Sequence, residues 1–231
     1  MKKTLLLIGA ILFVMVGCNS EKADIKKMPT KFQSVSVNQA QLLQDGKGKM
    51  FCNICGMNLP MFYKTSHASK VDGKQHQFCS IHCLVETINS GKKVEDIQVV
   101  NNEDLKFIDA KKAWYVVGSS KAGTMSRVSK YAFGNPIKAQ AFAKEFGGKV
   151  MNFNATLALV KKGLNKESSM IKKKQGMMAK KGEVVYKKHC ESISQKFSSV
   201  AEAKSFIKSS KSCGDIKGKK LQAVALYLIN K

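Results

Sequence analysis

The sequence predicts an α+β fold, and three observations lead there. The run Trp114-Tyr115-Val116-Val117 is β-rich, and Val150-Met151-Asn152-Phe153 reads as a second strand. Between them, Asn135-Pro136 marks a helix start and Gly147-Gly148 a stop. The final fifty residues carry a helical apolar stripe of their own. The chain has 231 residues and is 44% apolar, enough for a packed core and long enough for one ordinary domain or two small ones. Strands alternating with short helices in its middle are what an α+β domain requires.

Taken in order, Met1-Lys2-Lys3 is a basic start and Leu5 to Val16 an apolar run shorter than the ~20 residues of a bilayer span. With Gly17 before Cys18, residues 1–17 read as an export signal. Met15-Val16-Gly17-Cys18 resembles a bacterial lipobox, which implies cleavage before Cys18 and lipidation of that cysteine. The expectation is a membrane-anchored lipoprotein facing the periplasm, held more firmly by several acyl chains than by one. An ordinary signal peptide with an incidental cysteine is the alternative. Residues 18–47 are polar, basic and weakly periodic, and read as a tether with little fold of its own.

The chemistry-bearing residues follow. Cys52-Asn53-Ile54-Cys55 is a C-x2-C pair, and Cys79-Ser80-Ile81-His82-Cys83 is a C-x3-C pair. Two thiol pairs separated by a loop are what a tetrahedral soft-metal site needs. In C-x2-C both sulfurs converge from a tight turn. If a helix begins near Ser80, Cys79 and Cys83 lie on one face, one turn apart. Leu84 and Ile88 would continue that helix and Gly91 would end it. A knuckle followed by a helix start is treble-clef-like. Three readings stay open on spacing alone: structural zinc on Cys52, Cys55, Cys79 and Cys83; a Cu(I) site joining some of these thiolates with Met57 and a histidine; or disulfides. Thioether sulfur is a poor zinc ligand that Cu(I) accepts, so Gly56-Met57 beside the thiolates tilts the balance toward copper. Met61 reads as core filling. Of the four histidines, His67, His76, His82 and His189, the second and third lie near the C-x3-C pair and are candidates for the metal or its surroundings.

Further along, Ala139, Phe142, Ala143 and Phe146 line one face of the helix begun at Asn135-Pro136. The domain is expected to end near residue 160. Residues 161–181 are Lys-rich without apolar period, a basic linker or a solvated helix. In residues 182–231, Leu221, Val224, Ala225, Leu228 and Ile229 make one helical stripe, and Phe197, Val200, Ala201 and Ala203 suggest a helix before it. Fifty residues are marginal for an independent core. A disulfide between Cys190 and Cys213, the only thiols there, would staple it.

The charge is extreme: 40 Lys+Arg against 16 Asp+Glu, a formal +24, or +22 once the export signal takes Lys2 and Lys3 with it. Nucleic acid is the first partner such a charge brings to mind. An exported protein does not meet the genome, and Lys161–Lys188 holds ten lysines with no aromatic before Tyr186, unlike a single-strand groove. The readings left are a solvated surface, or contact with anionic headgroups or an acidic partner.

An ordered string of motifs then matches a known family. Cys52-Asn53-Ile54-Cys55-Gly56-Met57, Gly123-Thr124-Met125, Ser129-Lys130-Tyr131-Ala132-Phe133-Gly134 and Phe146-Gly147-Gly148-Lys149-Val150 closely resemble NosL-type lipoproteins over residues 48–160. The resemblance implies a small domain of ββαβ units and a non-enzymatic Cu(I)-binding accessory protein. Such a protein supplies copper for maturation of nitrous oxide reductase in denitrification. It implies Cys55 and Met57 as leading copper ligands and Met125 as a secondary one. A chaperone that must release its ion is expected to hold it in an accessible site of two or three soft ligands. The extra Cys79/Cys83 pair is closer to treble-clef metallochaperones than to the simplest members, which allows one four-cysteine site or a structural site beside a separate copper site.

Gly182 to Cys190 resembles the first helix of a c-type cytochrome, and Leu221 to Leu228 its last. Haem attachment needs C-x2-C-H, and here Ile193 and Ser194 stand where the second cysteine and the histidine belong, so no covalent haem is expected. Two other function classes compete with copper delivery: a thiol–disulfide oxidoreductase using Cys52 and Cys55, and a zinc-stabilised scaffold lipoprotein.

Overall fold

The computed structural model describes residues 31–231. The export signal, the lipobox Cys18 and the first part of the expected tether lie outside the described residues. Among the described residues no helix is long and apolar enough to cross a membrane.

Two small antiparallel sheets form the centre. β1 (His67–Val71), β2 (Lys74–Phe78), β3 (Val94–Val100) and β4 (Phe107–Asp109) make the first, in the order β2-β1-β3-β4. A two-residue Asp72-Gly73 turn closes the β1–β2 hairpin, with Val71 opposite Lys74. β5 (Trp114–Val117), β6 (Lys130–Phe133) and β7 (Lys149–Asn152) make the second, in the order β6-β5-β7. Helix α1 (Ile81–Asn89) lies between β2 and β3, and α2 (Pro136–Phe146) between β6 and β7. The domain is therefore two ββαβ units, each with its first strand in the middle of its sheet, and the fold class is α+β.

Local chemistry explains the helices of these units. Asn135 caps α2, its Oδ1 accepting from the Ile137 N–H at 2.8 Å, with Pro136 in the first turn where no N–H is missed. Ala139 is buried, and Phe142 and Ala143 pack beside it against Val116, Tyr131 and Phe133. Leu59, Phe78, Leu84, Val85, Val99, Tyr115 and Phe153 form the main core, and the four cysteines of the two pairs lie within it.

One segment differs from expectation, and a second is decided between its two readings. Residues 31–47 are not a free tether. Gln33 is buried and donates to the Ala122 carbonyl at 2.9 Å, Phe32 packs edge-on against Tyr131, and Gln44 donates to Phe51 O at 2.7 Å while accepting from Gln77 N at 2.8 Å. Glutamines that read as solvated serve here as hydrogen-bonding pegs between loops. Of the linker and the solvated helix expected for residues 161–181, the structure has the helix: they are the middle of one 37-residue helix, α3 (Phe153–His189), about 55 Å long. Lys, Glu, Gln, Met and Ala are good helix formers, so the stretch needs no apolar face of its own when both ends are anchored. Asn152 caps it, Val160 and Leu164 bury at one end, and Tyr186 buries at the other.

α3 thereby carries the C-terminal module. α4 (Val200–Ser210) and α5 (Gly218–Leu228) pack with its last turns around Ile207, Leu221, Val224 and Leu228. At Gly182 α3 and α5 pack so closely that a Cβ there would strike the Ala223 backbone. Cys190 and Cys213 are joined by a disulfide. Ile193 is buried in this small core, its N–H donating to the Tyr186 hydroxyl at 2.7 Å.

Candidate metal centre

The first cysteine pair sits on a closed turn. Cys52 N–H donates to Met57 O and Gly56 N–H to Cys52 O, both at 2.8 Å, while Phe51 and Asn58 bridge as in a short hairpin. Gly56 turns the chain at φ +69°, in the region that side-chain-bearing residues avoid. The second pair straddles the β2–α1 junction, with Cys79 before the helix and Cys83 in its first turn. All four sulfurs lie within 4.8 Å of one another and none of the residues is more than 2% exposed. Cys55 and Cys79 sulfurs are 3.4 Å apart, and Cys79 and Cys83 sulfurs 3.8 Å. Thiolates held ~2.3 Å from one tetrahedral ion stand about 3.8 Å apart, so the donor set fits a thiophilic metal.

Their mutual contact splits their acidity. Burial alone would push the Cys52 thiol up, yet the neighbouring thiols of Cys55, Cys79 and Cys83 together hold it well below its ordinary value. Cys79 and Cys83 are pushed well above theirs, first by their hydrogen bonds to Cys52 and Cys55 and then by burial. Four sulfurs this close share negative charge poorly among themselves, and a cation resolves the repulsion.

The remaining sequence candidates are arranged around this cluster. Met57 and Met125 pack against the same core, half-buried. Met125 holds a left-handed backbone at φ +59°, unusual for a non-glycine residue. Its neighbour Thr124 is tied to the cluster through Thr65. Thr124 Oγ1 is 2.8 Å from Thr65 Oγ1, which donates to the Cys79 carbonyl at 2.8 Å. His76 does not turn to the sulfurs: its Nδ1 accepts from Asn53 Nδ2 at 2.8 Å. Nor does His82, which is buried between Glu167, 3.2 Å from Nδ1, and Glu86, 3.5 Å from Nε2, and so ties α1 to α3. The site is not accessible as expected, because four cysteine sulfurs converge and all are buried.

Sequence reasoning missed the contribution of the C-terminal module. Lys204 of α4 donates to Gly56 O at 2.6 Å, and Gln222 of α5 donates to Cys55 O at 3.0 Å. Burial pushes the Lys204 ammonium down to about 8, while the charges of Cys55 and Cys52 pull it the other way. Nothing in its local pattern separates this lysine from the other basic residues, since its partners are ~150 positions away.

Residues 45–157 match the NosL family model. The central domain is of the NosL type. The crystal structure of the copper chaperone NosL from Shewanella denitrificans is similar at 24% identity, covering 49% of this chain and 95% of that one, with a TM-score of 0.40. No curated protein matches. The NosL match ends before the C-terminal module, so the likeness of residues 182–231 to a cytochrome has no support from it.

Proposed function

We propose that the protein is a Cu(I) chaperone that carries its cargo on Cys52, Cys55, Cys79 and Cys83. The observation that carries the reading is the convergence of four sulfurs from a knuckle and a helix start within 4.8 Å, inside a domain of the NosL type. Soft thiolates suit Cu(I), and Met57 and Met125 stand ready as thioether partners during exchange. The motifs shared with NosL-type lipoproteins support delivery toward nitrous oxide reductase or its maturation machinery. The lipobox-like Met15–Cys18 supports anchoring through Cys18 at the outer face of a bacterial membrane. Burial of Cys52 and Cys55 weighs against a thiol–disulfide oxidoreductase, whose attacking thiol must be reached.

The test is anaerobic Cu(I) titration of the reduced protein against a chromophoric chelator. One tightly held Cu(I) per chain is expected, with Cys79→Ser or Cys83→Ser weakening it at least a hundredfold and Met57→Leu by less than tenfold. No competition with the chelator would overturn the reading. A second reading has its own support: a closed, fully buried four-cysteine site is also the geometry of structural zinc. Tight Zn(II) that Cu(I) does not displace would decide for zinc.

A further inference from the structure

We propose that the C-terminal module, residues 190–231, is a built-in cap on the cysteine knuckle, and that Lys204 is the positioning residue that latches it and answers the charge of the loaded site. The inference rests on the reading of the cysteine cluster as a metal site. Three contacts join the cap to one turn of chain. Lys204 Nζ holds the carbonyl of Gly56, Gln222 holds that of Cys55, and Val200 lies so close over Gly56 that a Cβ there would collide with it. A fourth, from Ser205 to Lys47 O at 3.0 Å, fixes the neighbouring edge.

Lys204 is more than a packing residue. Its side chain is buried, and among the described residues no carboxylate pairs with it. Besides the Gly56 carbonyl it meets the Phe51 ring, 4.7 Å away, whose face attracts cations. A buried ammonium is costly unless an anion offsets it. The sulfurs of Cys55 and Cys52 are the groups that favour its charge against that burial. Four thiolates around Cu(I) carry a net charge of −3, and around Zn(II) −2. Loading the site therefore strengthens the hold of Lys204, and by linkage the closed cap strengthens the hold on the ion. Transfer then begins with the cap lifting from the knuckle.

The experiment uses the full reduced-site protein preloaded with Cu(I), or with Zn(II) if copper does not bind, and follows passage of the ion to excess chromophoric chelator. Lys204→Met, of similar length, should speed transfer about tenfold while leaving the thermal midpoint within a few degrees. Lys204→Arg should restore the rate to within threefold of the parent. Ile207→Val, which loosens the module core away from the knuckle, should lower the midpoint but leave the rate within twofold. Amide hydrogen exchange across α4 should slow on loading in the parent and not in Lys204→Met. Normal loading with equal transfer rates in parent and Lys204→Met would overturn the cap alone. Uptake of neither ion would overturn the metal-site reading beneath it, and the cap with it.

Discussion

The two ββαβ units share a topology and differ at one junction. Both place the first strand in the middle, send the second out to one side and bring the third back to the other after a helix. In both, two residues separate the second strand from the helix: Cys79-Ser80 in the first, Gly134-Asn135 in the second. Asn135 caps its helix with a 2.8 Å bond. Ser80 makes no such bond, and its hydroxyl is buried without a partner among the described residues. The second unit fills its inner face with Phe142, Tyr131 and Phe133, whereas the first puts Cys79 and Cys83 there beside the knuckle. The same scaffold is thus closed by aromatic packing and a cap in one copy, and by a sulfur cluster in the other.

That contrast can be broken most severely at the sulfurs. Replacing Cys79 and Cys83 together by Ser should abolish tight metal binding and free the amides of α1 to exchange, while those of α2 keep their protection. Hydrogen exchange with and without metal reads both. Equal loss of protection in the two helices would show that the units are not distinct.

The seam between the units should respond to acid. His67 of β1 is buried, with Nδ1 donating to Thr65 O at 3.1 Å and Nε2 accepting from the Tyr115 hydroxyl of β5 at 3.0 Å. Burial lowers its proton affinity from the ordinary 6.5 to about 4. Because the folded-state value is the lower one, the unfolded chain binds the proton first as pH falls. The stability held by neutral His67 is whole above about pH 6.5 and is lost as pH falls toward 4, roughly 3 kcal/mol in all. Urea unfolding across that range should show this slope, and His67→Gln should flatten it.

Phe142→Ala should cost the second unit about 2–3 kcal/mol, less than a fully buried ring because Phe142 is half-exposed, and leave metal affinity within twofold. The smallest effects sit at the caps. Asn135→Ala should cost about 1 kcal/mol. Ser80→Ala, which removes a hydroxyl without a partner, should be neutral or slightly stabilising. Thermal melts of the two single variants compare the junctions directly.

Much of this was legible where signals are local. The Asn135-Pro136 start, the Gly147-Gly148 stop, the strand Trp114–Val117 and the helix after Ser80 all follow from neighbours in sequence, and the structure shows them within a residue or two. The knuckle and the C-x3-C spacing likewise pointed to one another. What escaped depends on distant partners. Gln33 and Gln44 read as solvent-facing because their bonds run to residues in other loops. The lysine-rich stretch of α3 has no apolar period, so its continuity rests on the cores at its two ends. His82 was a candidate for the metal or its surroundings beside Cys83, and Glu167, 85 positions on, draws its ring toward α3.

Whether the four cysteines hold Cu(I) is read by X-ray absorption at the copper edge of the loaded protein. Coordination by sulfur alone is expected, and Cys79→Ser with Cys83→Ser should remove it. A shell containing imidazole nitrogen, or one that survives that double substitution, would contradict it.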